Sequence, residues 1–291
     1  MMNNQHKRIL LIDGSYLAFR SFYAAQSAKY ITSTEHFFFM SLLSLIKSIS
    51  PTHLYIATDV PGKTWRHEAY EGYKATRSET PEQFREDLKS IFNLLKAANF
   101  AFGGKTNHEA DDVIATLAQH KSDNDLVYIF SKDHDLLQLV EKNIFVTHDT
   151  KLEKMYTIDN FLDEYGVLPS QIPDLKGLAG DSSDNLKGVP GIGKKTAAKL
   201  LTEFNNLENL YEKLADSTVS EKQKEKLFEN KELVFQCKKL ATLTKDLDLG
   251  LNDEDYRLKV NFDQQARETF AEKKLNTVSR ELEELYESDN W

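Results

Sequence analysis

The sequence has few of the residues that mark secreted, membrane-spanning or zinc-dependent proteins. Its 291 residues include one cysteine, Cys237, which excludes an internal disulfide framework and is typical of a reducing compartment. The longest apolar stretch, residues 37–46, contains two serines and has about half the length of a membrane helix. The eight histidines form no HExxH motif or other close pair, and Cys237 has no His or Asp partner nearby in the sequence, so neither zinc nor a thiol nucleophile is supported. The polar start, Met1 to Arg8, precedes only four apolar residues, too few for a signal peptide. We therefore expect a cytoplasmic protein without membrane contact.

The charge is patterned rather than uniform. A net charge of −9 argues at first against a nucleic-acid partner. Nine acids, however, lie in five short clusters, and the rest of the chain is neutral once they are set aside. With 40% hydrophobic and 29% charged residues, the chain has the composition of an ordinary globular protein with room for one large or two smaller domains.

Three apolar runs that favour β-structure each end in an acid. They are residues 9–13, 54–59 and 126–133, and they end in Asp13, Asp59 and Asp133. Separated by helix-compatible stretches, such runs predict buried parallel strands. Ligands of open α/β sheets bind beyond the carboxyl ends of the strands, so these three acids are expected to meet at one edge. The alternative is that each Asp merely begins a turn.

One further acidic group and two pairs, Asp133/Asp135 and Asp181/Asp184, complete the set. Glu109-Ala-Asp-Asp112 opens an amphipathic helix, in which positions i and i+3 share a face; helix capping alone is the alternative explanation. Carboxylates that are packed together repel one another unless cations neutralise them, and Mg²⁺ is the hard cation that oxygen ligands favour. The sequence thus predicts metal-assisted phosphate chemistry at nine acids: Asp13, Asp59, Glu109, Asp111, Asp112, Asp133, Asp135, Asp181 and Asp184.

A glycine-rich segment, residues 188–201, follows a change to lysine-rich helical patterning, and we place a domain boundary near residue 172. Its first seven positions fit a P-loop, but Lys195 stands where Ser or Thr should bind Mg²⁺, and no apolar strand precedes it. A helix–hairpin–helix turn fits better, because glycines bring backbone N–H groups to a phosphate. Lys194, Lys195 and Lys199 would then contact the DNA backbone. A glycine-capped turn with solvated lysines is the alternative.

The segment after Asp59 alternates cations with aromatic rings. Residues 60–77 combine four basic side chains with one tryptophan and two tyrosines, a pattern that suits single-stranded or frayed nucleic acid. An ordinary surface loop with its aromatics turned inward is the alternative. The residues concerned are Lys63, Trp65, Arg66, Tyr70, Tyr73, Lys74 and Arg77.

Five segments, in this order, closely resemble the 5′ nuclease or flap endonuclease family, in particular the nuclease domain of bacterial DNA polymerase I. They are residues 11–20, 66–74, 108–112, 131–135 and 180–193. The resemblance runs from about residue 8 to at least residue 270 and implies an α/β fold. Residues 1–171 would form a PIN-like core with a mostly parallel sheet and a helical arch at about 61–104. Residues 172–291 would form a mainly helical part with the helix–hairpin–helix motif.

The resemblance also implies roles for individual residues. Two Mg²⁺ ions, or Mn²⁺ in their place, would bind the acids, with the five acids up to Asp112 nearer one ion and the four from Asp133 nearer the other. Lys74, Arg20 and Arg77 would stabilise charge during cleavage, and Phe19 would stack on a base. A monovalent cation at the helix–hairpin–helix turn is a further expectation. The other DNA-binding residues would be Arg66, Tyr70, Tyr73, Gly191, Gly193, Lys194, Lys195, Thr196 and Lys199.

The implied function is that of a free-standing, structure-selective 5′-3′ exonuclease and flap endonuclease. It would act as a monomer on DNA with 5′ flaps, nicks or free 5′ ends, and on RNA primers annealed to DNA. Primer removal and repair would place it at the nucleoid, with a functional link to a DNA polymerase. Three alternatives stay open: a PIN-like ribonuclease, a catalytically silent junction-binding protein and a phosphotransferase that uses the P-loop-like run.

Overall fold

A six-stranded, mostly parallel sheet lies at the centre of the computed structural model, which describes residues 6–29 and 32–288. The strand order is β3-β2-β1-β4-β5-β6, and only β6 runs antiparallel to its neighbour. This confirms the predicted α/β fold with a mostly parallel sheet. The strands are β1 (Arg8–Asp13), β2 (His53–Ala57), β3 (Phe102–Gly103), β4 (Leu126–Phe130), β5 (Ile144–Thr147) and β6 (Met155–Tyr156).

Helices connect the strands and make up most of the C-terminal part, as predicted. Short 3₁₀ turns at 135–139, 169–171 and 253–256 complete the regular structure of the described residues. The helices are α1 (Gly14–Ser27), α2 (Thr34–Ile49), α3 (Trp65–Ala69), α4 (Glu82–Ala97), α5 (Ala110–Gln119), α6 (Ile158–Tyr165), α7 (Ile172–Ala179), α8 (Lys194–Phe204), α9 (Leu207–Lys213), α10 (Glu221–Glu229), α11 (Lys231–Ala241), α12 (Gln264–Glu272) and α13 (Asn276–Glu287).

Each face of the sheet is covered by helices, because side chains alternate along every strand. In β1, Leu10 and Ile12 point into a cluster formed with α1, α2, α4, α12 and α13. Ile9 and Leu11 point into the opposite cluster, which contains residues of α5, α7, α8 and α9. All four side chains are fully buried. The sheet is therefore fixed from both sides, and its carboxyl edge is a rigid base for side chains.

The C-terminal part does not end in a detached unit. Helix α12 packs against α4, and α13 packs against α2, so the last described residues return to the N-terminal layer. The boundary predicted between residues 171 and 172 stays a prediction. No helix in residues 6–29 or 32–288 is long and apolar enough to cross a membrane.

Segment 61–104 contains α3, a series of turns, α4 and β3. Helix α4 is attached to α1 by an aromatic stack, in which the rings of Phe19 and Phe84 lie 3.9 Å apart at an interplanar angle of 10°. Thr34 Oγ1 also donates a 2.5 Å hydrogen bond to Asp87 of α4. The predicted arch segment is thus packed against the body of the protein.

Candidate active site

Acids from adjacent strands meet at the carboxyl edge of the sheet. Asp13 is the last residue of β1, which lies between β2 and β4. Asp59 follows β2 by two residues, and Asp133 follows β4 by three. All three line one cavity of about 570 Å³, together with Glu109, Asp111 and Asp181. The structure therefore brings the strand-end acids into one site.

Asp13 and Asp59 are held by hydrogen bonds from the elements that follow the strands. Asp13 caps α1 by accepting from Tyr16 N at 2.9 Å, and its second oxygen accepts from Ser131 Oγ at 2.7 Å. Asp59 accepts from Ser15 Oγ at 2.7 Å and from the backbone N–H of Ala110 at 3.0 Å. These contacts fix the two carboxylates while leaving them on the wall of the cavity.

The acids at the start of α5 lie in two environments, the cavity wall and the protein interior. Glu109 and Asp111 line the cavity, whereas Asp112 is fully buried and is not part of its wall. The Asp112 carboxylate accepts hydrogen bonds from two nitrogens of Arg66, at 2.7 and 2.8 Å, and from Thr244 N at 2.9 Å. Burial acts to raise the pKa of Asp112, but the Arg66 guanidinium outweighs it and holds that pKa below its usual range.

Tyr73 and Lys74 connect acids from two parts of the site. The Tyr73 hydroxyl donates to Glu109 at 2.9 Å and to Asp184 at 3.5 Å, and its ring is 2% exposed. The Lys74 ammonium forms an ion pair with Glu109 and lies 4.0 Å from Asp184. Arg77 reaches the same Asp184 at 3.0 Å. Three neighbouring side chains thus tie α5 to the loop after α7.

A residue of the cavity wall that the sequence patterns did not single out is Lys176, in the middle of α7. Its ammonium is paired with both Asp135 and Asp181, at 2.6 Å from the latter, and the residue is 8% exposed. Its neighbours Leu175 and Leu178 are apolar and buried. The sequence could have indicated Lys176, because a lysine on the buried face of a short apolar helix needs an acidic partner for its charge.

The loop that carries Asp181 and Asp184 is closed by its own backbone. Asp181 and Leu186 exchange hydrogen bonds of 2.8 and 2.7 Å. Gly188 has a positive φ of 56°, and a Cβ there would lie 2.3 Å from the backbone nitrogen of Gly180. Only glycine allows this close approach of the two chain segments. Helix α7 and this loop precede Gly188, rather than the strand that a P-loop requires.

The electrostatics of the site are those of crowded carboxylates. Burial raises the pKa of Asp13 to about 7, and burial also raises the pKa of Asp135 to about 7. The pKa of Asp111 is raised well above its usual value by burial and by the charges of Asp133 and Asp13. Burial acts to raise the pKa of Asp181, but the Lys176 ammonium and Ser183 lower it to about 2. Burial and neighbouring acids thus disfavour the charged form of several carboxyl groups, an effect that a bound cation would oppose.

The residues fit a hard divalent cation in chemistry but are not gathered around one point. Their side chains offer only carboxylate oxygens, the ligands that Mg²⁺ prefers. Yet in residues 6–29 and 32–288 no three His, Cys, Asp or Glu side chains lie close enough together to hold an ion. Lys74 and Lys176 contact the acids instead. Small side-chain movements away from these lysines would be needed to bind a cation.

The other predicted site residues fall into two groups. Phe19, Lys74, Arg77 and Lys194 line the cavity. Arg20 is exposed outside it and donates to His148 O at 3.2 Å. The remaining predicted DNA-binding residues do not line the cavity: Arg66 and Tyr73 are buried, Tyr70 and Thr196 are half-buried, and Gly191, Gly193, Lys195 and Lys199 are exposed.

Two family models cover most of the chain. The model described as 5′-3′ exonuclease, N-terminal resolvase-like domain, matches residues 8–166. The model described as 5′-3′ exonuclease, C-terminal SAM fold, matches residues 167–265. The chain belongs to the 5′-3′ exonuclease family. This confirms the resemblance inferred from the sequence, and the protein is accordingly a nuclease.

Relatives in this family are of two lengths. A 5′-3′ exonuclease of Mycoplasmopsis pulmonis is 39% identical over 290 residues, which cover 99% of this chain and 98% of that protein. DNA polymerase I of Bacillus caldotenax is also 39% identical, over 86% of this chain but only 30% of the polymerase. The chain thus spans about a third of the length of the polymerase relatives.

A solved structure supports the fold. The flap endonuclease of bacteriophage T5, in a complex with DNA and metal ions, superposes with a TM-score of 0.71. The alignment covers 97% of this chain and all of the phage chain, at 23% sequence identity. Both the sheet and the helical C-terminal part of this protein therefore have counterparts in the phage enzyme.

Proposed function

We propose that this exonuclease is a structure-selective, divalent-metal-dependent 5′-3′ exonuclease and flap endonuclease that cleaves DNA at junctions of single and double strand. The observation that carries the proposal is the cavity at the carboxyl edge of the sheet. Its wall combines six carboxylates with Lys74, Arg77, Lys176 and Lys194, and Lys194 begins α8 directly after the glycine-rich turn. Acids for metal ions and cations for phosphate are thereby combined in one site.

Two Mg²⁺ ions are the cofactors that the carboxylates suit best, with Mn²⁺ as a substitute. Asp13, Asp59, Glu109 and Asp111 would hold one ion, and Asp133, Asp135, Asp181 and Asp184 would hold the other. When bound, such ions lower the pKa of an attacking water and stabilise the leaving oxygen. Asp112, which the family resemblance groups with the first set, would act through Arg66 and the start of α5, because it is enclosed by hydrogen bonds. The bacteriophage T5 enzyme, with metal ions bound, supports this proposal by analogy of fold.

The lysines of the site would change partners when cations neutralise the acids. Lys74 now pairs with Glu109, and Lys176 with Asp135 and Asp181. Once these carboxylates bind metal, the ammonium groups become available to the negatively charged phosphate, where charge builds up during cleavage. Arg77, half-exposed at the rim, would hold the phosphate from the same side. Arg20 lies outside the cavity and would have to move to contribute.

The turn between α7 and α8 would bind duplex DNA through its backbone. Gly193 caps α8 and leaves the first N–H groups of the helix without side-chain partners, a suitable arrangement for a phosphate. Lys194, Lys195 and Lys199 follow on the exposed side of α8. A monovalent cation at this turn remains part of the proposal. Phe19, on the cavity wall, would stack on a base beside the cut.

The substrates would be DNA with 5′ flaps, nicks or free 5′ ends, and RNA primers annealed to DNA. Primer removal and repair would then be the tasks of a monomer at the nucleoid. Because polymerase relatives carry the matching region in about 30% of their length, a functional link to a DNA polymerase is part of the proposal.

Cleavage of a 5′-labelled flap duplex tests the proposal. In Mg²⁺ we expect a product cut at the junction, and in EDTA none. Single-stranded RNA and single-stranded DNA of the same sequence serve as matched substrates without a junction. Preferred cutting of the single-stranded RNA would favour a ribonuclease, and tight flap binding without cutting in Mg²⁺ or Mn²⁺ would favour a junction-binding protein.

A further inference from the structure

A second cavity adjoins the acid-lined one. Its volume is about 580 Å³, enough for a nucleotide. The two cavities share His134, Lys176, Asp181 and Lys194 in their walls. Lys176 and Asp181 form an ion pair at this boundary, so the charge of Asp181 is balanced there. A DNA strand that lies in the first cavity can therefore continue directly into the second.

The floor of the second cavity is apolar. Ile172, Leu175 and Leu186 contribute buried side chains, with 2%, 6% and 4% exposure. Tyr165 of α6 adds an aromatic wall, fixed by a parallel stack on Phe161 with 4.8 Å between the ring centres. An apolar floor beside an aromatic ring suits a flat ligand whose face can stack on the ring, and a nucleobase has such a face.

The rim of the second cavity carries positive charge on the side of the α7–α8 turn. Lys187 and Lys194 are both exposed there, while Glu164 is the carboxylate on the α6 side. Two ammonium groups beside an apolar floor match a nucleotide, whose base would enter and whose phosphates would stay at the rim. Neither the acids of the first cavity nor the turn needs these apolar residues for its own proposed role.

The position of the second cavity indicates which nucleotide of the substrate it would bind. Lys74 and Arg77, from the arch segment, line only the first cavity. Lys187 precedes the glycine-rich turn to which the proposed function assigns the duplex. We propose that the second cavity holds the base of the first nucleotide on the duplex side of the cut, which would have to leave its base pair to enter. The inference rests on the proposed function and adds a base-binding subsite to it.

A double-mutant cycle between protein and substrate tests the subsite. Flap duplexes that lack the base at one position, from two nucleotides before the cut to two after it, are compared with the intact duplex. Loss of the first duplex-side base should lower kcat/KM about tenfold for the native protein, as expected for one stacked base. With Tyr165→Ala the same loss should have little effect, because the ring that receives the base is gone.

Matched variants separate this role from a structural one. Tyr165→Phe keeps the ring and should retain the full tenfold effect. Leu162→Ala changes an exposed side chain of the same helix that lies outside the cavity, and it should behave like the native protein. The inference would be overturned if removal of a base lowered kcat/KM equally for the native protein and Tyr165→Ala at every position tested. It would also be overturned if Tyr165 were coupled only to bases on the flap side of the cut.

The same cycle is also measured as Kd in Ca²⁺, which separates failure of the subsite from failure of the proposed function. A native protein that binds but never cuts contradicts the nuclease function, while the Kd values still decide whether Tyr165 and the base interact. A protein that cuts at the junction without any coupling contradicts the subsite alone.

Discussion

The Arg66 guanidinium and the Asp112 carboxylate form a buried, two-point ion pair, with N–O distances of 2.7 and 2.8 Å. Arg66 also donates to the backbone oxygens of Leu240 and Thr242, at 2.8 and 3.2 Å. One side chain thus joins α3, the start of α5 and the end of α11. Because Asp112 lies in the first turn of α5, next to Asp111 and three residues after Glu109, the pair sets the position of two acids that line the cavity.

Arg66→Ala should therefore destabilise the fold strongly. Removing one partner leaves an uncompensated buried charge, a loss of about 3–5 kcal/mol in the free energy of unfolding. Chemical denaturation measures it. Arg257→Ala is the matched control, because Arg257 pairs with Glu254 on the surface and its loss should cost about 1 kcal/mol or less. Similar values for both variants would show that the buried pair is not structural.

Lys74→Ala should lower turnover far more than it lowers affinity for duplex DNA. The ammonium lies between Glu109 and Asp184 in the cavity, where it would stabilise charge during cleavage, a contribution of about 10²–10³ in kcat. Single-turnover cleavage and equilibrium binding give the two quantities. Lys142→Ala removes an exposed charge before β5, away from the cavity, and should change neither. Equal losses of rate and affinity in Lys74→Ala would rule out the catalytic role.

Lys194→Ala/Lys195→Ala should weaken DNA binding and make it less sensitive to salt. Each phosphate contact adds about 0.9 to the slope of log K against log salt, so two lost contacts should reduce it by about 2. The control is Lys121→Ala/Lys142→Ala, at the opposite edge of the sheet, before β4 and β5. An unchanged slope in the first variant would argue against the proposed duplex contact at α8.

Without divalent ions, the protein should lose stability as pH rises from about 4 to about 7. The pKa of Asp13 and that of Asp135 are both raised to about 7 by burial, so the folded state holds protons that the unfolded state releases. Melting temperature in EDTA, measured from pH 5 to pH 8, should fall more steeply for the native protein than for Asp13→Asn/Asp135→Asn. Both proteins contain the same histidines, so the difference between their melting curves excludes the contribution of those residues. Parallel curves for the two proteins would contradict the raised pKa values of Asp13 and Asp135.

Sequence patterns located the acids because parallel strands place their carboxyl ends at one edge. Asp13 ends β1, while Asp59 and Asp133 follow β2 and β4, the two strands that flank β1 in the sheet, and all three acids line the cavity. Strands β3 and β6 have only two residues each, and β5 has four, too short for a pattern of their own. They form because the sheet offers an edge to pair with.

The segment of residues 60–77, with its alternating basic and aromatic side chains, shows a limit of prediction from sequence patterns. Its alternation of cations and rings predicted contacts with nucleic acid for Arg66 and Tyr73. The structure encloses both among the acids, where they donate hydrogen bonds to Asp112 and Glu109. Composition does not tell which face of a segment turns inward, since that depends on partners distant in sequence. Lys176 went unnoticed for the same reason, because its partners Asp135 and Asp181 are brought to it by folding.

Cleavage of the 5′-labelled flap by Asp181→Asn/Asp184→Asn tests the central claim most directly. The matched control is Asp159→Asn/Asp163→Asn, which makes the same change of charge on exposed positions of α6. We expect the control to cut at the junction in Mg²⁺ like the native protein, and the first variant to bind the flap but cut at least a hundredfold more slowly, about the loss that one missing transition-state contact causes. Undiminished cutting by Asp181→Asn/Asp184→Asn would contradict an active site built on these acids.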